Sequence, residues 1–158
     1  EYLTETHDLQ RACDLARASS SLPYVSKITM IDGQPMLDGG IVDSIPIGRA
    51  QATGHKHNIV ITTRNYGYRE SGHDRKQPMF IYRHYPRLRV ALSHRIKAYN
   101  EQLQMVEDLE RERKITVIRP QRPMEVQRME KDIAKLERLY EEGFKLGEEF
   151  YQANEIAE

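Results

Sequence analysis

The chain is poor in the features that announce a function by themselves. It has one cysteine, Cys13, among 158 residues, which excludes a disulfide framework and a cysteine-built zinc site and fits a reducing, cytoplasmic compartment. It lacks any apolar run near 18 residues, because charged side chains interrupt each candidate, so no membrane span is expected. It lacks a charge excess: 24 bases face 24 acids, and the segments 1–82 and 83–158 balance separately. A nucleic-acid partner is therefore not expected. The N-terminus shows neither a basic-then-apolar signal segment nor an initiator Met, opening instead on Glu1-Tyr2-Leu3. From this we expect a chain that begins inside a longer one. What remains is a composition, 39% hydrophobic and 30% charged, that suits a folded domain of ordinary size.

Periodicity organises the first third. Leu9, Ala12, Cys13 and Ala16 recur at three- and four-residue spacing, which predicts a helix from about Asp8, broken at Ser19-Ser20-Ser21-Leu22-Pro23. Ile28–Ile31 and Gln34–Leu37 flank Asp32-Gly33, a pair that tolerates positive φ at both central positions and predicts a hairpin. A second helix is expected from Ser44 or Ile45, with Pro46 in its first turn and Gly54 as its left-handed cap. Ile59-Val60-Ile61-Thr62-Thr63 is an unbroken, mostly β-branched run, the pattern of a strand buried on both faces of a parallel sheet.

Beyond it the character changes. Residues 64–85 are loop-like, with Gly67, Gly72 and Pro78 as breakers and Pro86 closing the stretch. From Leu88 to Leu109 apolar residues step by three and four, predicting an amphipathic helix of about six turns. Lys114–Ile118 is a short strand candidate. A second long helix is expected to carry Val126, Met129, Ile133, Leu136, Tyr140, Gly147 and Tyr151 on one stripe. The short connection favours an antiparallel helical hairpin over a partner-binding coiled coil.

Chemistry concentrates at Leu37-Asp38-Gly39-Gly40-Ile41-Val42-Asp43-Ser44-Ile45-Pro46. A carboxylate at a strand end, followed by two residues without Cβ, allows a substrate or another backbone to come close. Asp38 could act there as a general base for a nucleophile brought from elsewhere. Equally, Asp-Gly simply makes turns, as Asp32-Gly33 is expected to do, and local pattern does not separate the two readings.

Taken together and in order, these elements resemble the C-terminal part of the catalytic domain of patatin-like phospholipases. The resemblance runs from about Leu9 to Thr63: the helix ending Ala16–Pro23, the hairpin, Asp38-Gly39-Gly40, Asp43 and Pro46, then the strand after Gly54. The tail from His84-Tyr85-Pro86 is similar to an extension found in a bacterial branch of that family. The resemblance implies an α/β fold: the C-terminal portion of a three-layer patatin-like domain (1–66), a basic, tyrosine-containing loop (67–85) and a helical C-terminal extension (86–158). It also implies a serine–aspartate dyad hydrolysing lipid acyl esters, Asp38 being the aspartate and Gly39 and Gly40 its motif, with no metal or organic cofactor.

The nucleophile is not in this chain. The family's serine sits in Gly-x-Ser-x-Gly, whereas the seven serines here, at 19, 20, 21, 26, 44, 71 and 93, have no glycine two residues to either side. These residues alone are therefore expected not to turn over. The missing N-terminal half of the same domain is an expected partner, beside the lipid or ester substrate, and self-association through uncovered apolar surface is expected as well. The alternative is a non-catalytic interaction or regulatory module that docks a partner through residues 86–158.

Two further features have competing readings. Residues 64–99 hold nine bases against Glu70 and Asp74, interleaved with Tyr66, Tyr68, Tyr82, Tyr85 and Tyr99. That mixture suits peripheral contact with anionic lipid headgroups, unless the charges pair with the Glu-rich second long helix or face water. His55 and His57, two apart, could share a strand face as metal ligands, but without a nearby third they fit a surface turn better.

Overall fold

The computed structural model describes residues 8–72, 80–126 and 130–155. Met129, and Arg75, Lys76 and Pro78 of the basic loop, lie outside them. Four α-helices and four strands follow in order among the described residues: α1 (Leu9–Ser19), β1 (Thr29–Ile31), β2 (Gln34–Met36), α2 (Ile47–Ala52), β3 (Ile59–Ile61), α3 (Pro86–Arg111), β4 (Thr116–Ile118) and α4 (Ile133–Glu155). The mixture is α/β in the broad sense, with helices dominating and every strand three residues long. Its compact units interleave along the chain: residues 1–45 with 71–99 form one, and 46–70 with 100–158 the other. α3 gives its N-terminal half to the first and its C-terminal half to the second.

The first unit follows its local signals closely. Asp8 caps α1 by accepting the Gln10 N–H at 2.9 Å. β1 and β2 pair antiparallel, Thr29 opposite Met36 and Ile31 opposite Gln34. Asp32 (φ 50°) and Gly33 (φ 76°) make the turn, both left-handed as a two-residue hairpin requires. Ile41, Tyr82 and Leu92 form the buried cluster, with Ile28, Leu37, Leu88 and Ala91 packed on it. The Tyr82 hydroxyl accepts the Tyr24 N–H at 3.0 Å, so the one polar atom of a buried ring is satisfied.

The second unit is built on a parallel pair. β3 and β4 register Ile59 against Thr116 and Ile61 against Ile118, and the Thr62 N–H extends the ladder to Ile118 O at 3.0 Å. α4 packs on β4. Ile47, Val60, Leu103, Val106 and Ile115 are buried. The expected double-sided burial of Ile59–Thr63 is not what the fold shows. Val60 is 8% exposed, but Ile59 and Ile61 are 56% and 76% exposed. A strand's side chains alternate between faces, and among the described residues this sheet is covered on one face only.

Local chemistry sets both ends of α2 and the start of α4. α2 begins after Pro46, which sits at the N-cap and not inside the first turn. It ends in a Schellman motif: the Gly54 N–H reaches Gln51 O at 3.0 Å and the His55 N–H reaches Ala50 O at 3.1 Å. Gly54 takes φ 90°, as expected. α4 starts later than its apolar stripe suggests, leaving Val126 in irregular chain. The reason is a cap: the Glu130 carboxylate accepts the N–H groups of Lys131 and Asp132 at 2.9 and 3.1 Å, and Asp132 accepts that of Lys135 at 3.3 Å.

Candidate functional site

Asp38 lies at the exit of the hairpin, in the first unit. Its N–H donates to Ser21 O at 2.9 Å, which ties the loop to the end of α1. Ser21 is itself buried, its hydroxyl donating to Arg17 O at 2.7 Å and sharing a hydrogen bond with the Thr29 hydroxyl at 3.0 Å. The residue that looked like one of three helix breakers is thus the post on which the Asp38 loop hangs.

The carboxylate is half-buried and oriented. Asp38 Oδ1 accepts the Gly40 N–H at 2.7 Å, capping the single 3-10 turn Gly39–Ile41. The turn is anchored from below, because Ile41 belongs to the buried cluster. Space at Gly40 is tight: a Cβ there would lie 3.1 Å from Asp38 Oδ1 and 3.4 Å from Ser44 Oγ. Gly39 has no such constraint, since a Cβ on it would meet nothing within 4 Å. The Ser44 hydroxyl donates to Gly40 O at 2.7 Å, so serine and aspartate lean on the same glycine from opposite sides.

The basic, tyrosine-containing stretch is strapped to α3 by polar contacts. Arg69 makes a bidentate pair with Glu107, Nη1 to Oε1 at 3.0 Å and Nη2 to Oε2 at 2.7 Å. The Gly67 N–H donates to the same Oε1 at 2.9 Å. Beside it, the Glu70 N–H and O both engage the Asn100 amide, at 2.8 and 3.1 Å. Glu107 is buried. The Arg69 guanidinium holds its carboxyl below the usual range against the opposing effect of burial, helped by the Gly67 N–H. Arg64 lies over the Tyr68 ring at 4.6 Å and Arg119 over Tyr66 at 5.2 Å.

The arginine expected to meet lipid or α4 therefore meets a glutamate of α3. Glu107 was missed in sequence, yet a signal was there: it falls four residues after Leu103 and beside Val106, on the apolar side of the helix. A carboxylate at such a position calls for a cation.

His55 and His57 are exposed on the turn between α2 and β3. No group of three potential metal ligands gathers among the described residues. Among them, too, no helix is long and apolar enough to cross a membrane.

Comparison with known proteins adds one match. No curated protein and no solved structure matched the chain. Residues 85–155, which span α3, β4 and α4, match the model of a family described as a domain of unknown function, DUF6363.

Proposed function

We propose that this chain is the C-terminal segment of a patatin-like serine hydrolase acting on lipid esters, in which Asp38 is the general base. The observation that carries the reading is the state of the carboxylate. Oδ1 is committed to the Gly40 N–H, which fixes the plane of the group and leaves Oδ2 as the atom to take a proton. In this reading a serine outside these 158 residues attacks the ester carbonyl while its hydroxyl proton passes to Asp38. The tetrahedral intermediate collapses, and the leaving alkoxide takes that proton back. Water then repeats the cycle on the acyl-enzyme, with Asp38 again accepting and returning the proton.

The order of the surrounding elements supports the same proposal. Helix, hairpin, Asp38-Gly39-Gly40 turn, short helix and parallel strand follow one another as the resemblance requires. The exposed Ile59 and Ile61 fit a sheet that gains a further layer in the whole domain. In the whole protein the proposed domain has three patatin-like layers, and the extension forms a helical hairpin.

The test is hydrolysis of a short-chain p-nitrophenyl ester by the full-length gene product and its Asp38→Asn variant. Asparagine caps as well as aspartate, so the turn should survive while the base is lost. Activity should fall by at least about a hundredfold, a usual contribution of general-base catalysis. Activity indifferent to the substitution would reduce Asp38 to a capping residue. Residues 1–158 alone should show no turnover.

A second reading, an interaction module, rests on α4. Ile133, Tyr140 and Phe144 are exposed along one side of that helix, with Glu137, Glu141 and Glu148 flanking them. Such a face fits a partner helix with an apolar seam and a basic flank. It is favoured if the full-length protein proves inactive yet α4 substitutions abolish a binary complex.

A further inference from the structure

The second unit holds an open groove of about 620 Å³ at the N-terminal ends of β3 and β4. Besides the last turns of α4, two helix ends converge on it. One is the Schellman cap of α2, which delivers His55, Lys56 and His57. The other is the end of α3, where the Arg113 N–H reaches Glu110 O and the Lys114 N–H reaches Leu109 O, both at 2.9 Å. This too is a Schellman motif, with Arg113 in the left-handed position at φ 56°.

That position is usually glycine, because a side chain there is strained. Gly54 obeys the rule at the matching place in α2, and Arg113 breaks it. A local rule broken in this way points to function.

The charges left on the groove support this. Lys114 is paired with Glu112 at 2.7 Å, but Lys56 and Arg113 make no ion pair with any described residue. Among the described residues no carboxylate lines the groove. Ile115, which is buried, and Phe150 give the groove an apolar floor. The Asn154 amide donates to Phe150 O at 2.7 Å and covers one of the carbonyls that would otherwise repel an anion at the end of α4.

We infer that this groove binds a phosphate monoester or diester carrying an apolar group, with Lys56 and Arg113 on the phosphate oxygens and the Ile115–Phe150 floor under the apolar part. Arginine offers a planar pair of donors and lysine a point charge, the combination that recognises phosphate from two sides. A soluble phosphate ester and an anionic lipid headgroup share that chemistry. The inference does not depend on Asp38, which belongs to the other unit.

The test uses the 158-residue chain and the double variant Lys56→Gln/Arg113→Gln, with circular dichroism to confirm folding and Lys56→Arg/Arg113→Lys as the charge-conserving control. Two probes separate the sources. In an amide NMR titration phenyl phosphate should shift residues 55–58 and 113–116, phenol should not, and the glutamine variant should weaken binding about tenfold or more. In co-sedimentation, vesicles of phosphatidylcholine with phosphatidylglycerol are compared with phosphatidylcholine alone. Response to phenyl phosphate assigns a soluble ester, and retention that needs phosphatidylglycerol and both cations assigns a headgroup. Binding of neither probe, or equal binding by the glutamine variant, overturns the inference.

Discussion

Each compact unit contains a bidentate arginine–carboxylate pair, and the two pairs are chemically alike. In the first, Arg11 holds Asp32 with donor–acceptor distances of 2.8 and 2.6 Å. In the second, Arg69 holds Glu107 at 3.0 and 2.7 Å. Their surroundings differ. The Asp32 side chain is 62% exposed, whereas that of Glu107 is 8% exposed. Asp32 is also placed by its own turn, which positive φ at Asp32 and Gly33 already secures. Glu107 instead anchors a loop about forty residues earlier in the chain through both Arg69 and Gly67. The lesson is that geometry does not rank ion pairs; what they exclude from water and what they tie together does.

Removing the buried carboxylate should therefore have the largest effect. Glu107→Ala takes the counter-charge from the Arg69 guanidinium, which keeps only the neutral acceptors Tyr68 O and Gln104 Oε1, leaves the Gly67 N–H without its acceptor, and should cost about 3 kcal/mol in urea unfolding, near the low end for a broken buried pair. The pair also makes the second unit sensitive to acid. Arg69 lowers the Glu107 pKa in the folded state below its ordinary 4.5. Its contribution is thus complete above that value and is lost as pH falls through the lower folded pKa. Protection of residues 64–70 from hydrogen exchange, measured against the intrinsic rate at each pH, should fall on acidification below about pH 4.5 in the parent protein, and be low at every pH in Glu107→Ala. An acid response unchanged by the substitution would remove the clamp from the comparison.

The first unit depends on a different device. Its buried cluster is apolar apart from the Tyr82 hydroxyl, and that hydroxyl serves one backbone donor, the Tyr24 N–H. Tyr82→Phe keeps the ring and its packing on Ile41 and Leu92 but removes the acceptor. The expected loss is about 1 kcal/mol, the cost of one hydrogen bond at a part-buried site. Thermal unfolding should reveal it, with little dependence on pH or salt. A strong salt dependence would show that charges help to close this unit as they do the other.

The sequence was legible where a local rule decides the structure. A helix from about Asp8, Asp32-Gly33 as hairpin turn, Gly54 as left-handed cap and the period of α3 depend on spacing of a few residues, and the structure contains each of them. It was less legible where a partner decides. Ile59-Val60-Ile61 reads as a strand buried on both faces, but burial depends on how many layers assemble, which β-branched composition does not encode. The late start of α4 turned on two carboxylates, Glu130 and Asp132, that outweigh an apolar period. At the candidate site the Asp38-Gly39-Gly40 pattern was visible from the first reading. The support beneath it, Ser21, was hidden among three serines of which one is buried. Likewise Arg69 was noticed as one of nine bases, while its pairing with Glu107 spans 38 residues and no local pattern reaches that far.

The exposed pair offers the finest test of the comparison. Arg11 reaches Asp32 across 21 residues with both of its terminal nitrogens, so on distances alone it should matter as much as Arg69. Water argues otherwise. Both partners are solvated before and after the contact forms, salt screens their attraction, and ordering a long arginine opposes it. The turn does not need the help, because Asp32-Gly33 is already suited to its dihedrals. Arg11→Ala should accordingly leave the unfolding midpoint unchanged within error at physiological salt, and any small loss at low salt should vanish as salt is added. A loss as large as that of Glu107→Ala, persisting in high salt, would mean that the pair organises α1 against the hairpin, and that exposure is a poor guide to which of the two arginines holds its unit together.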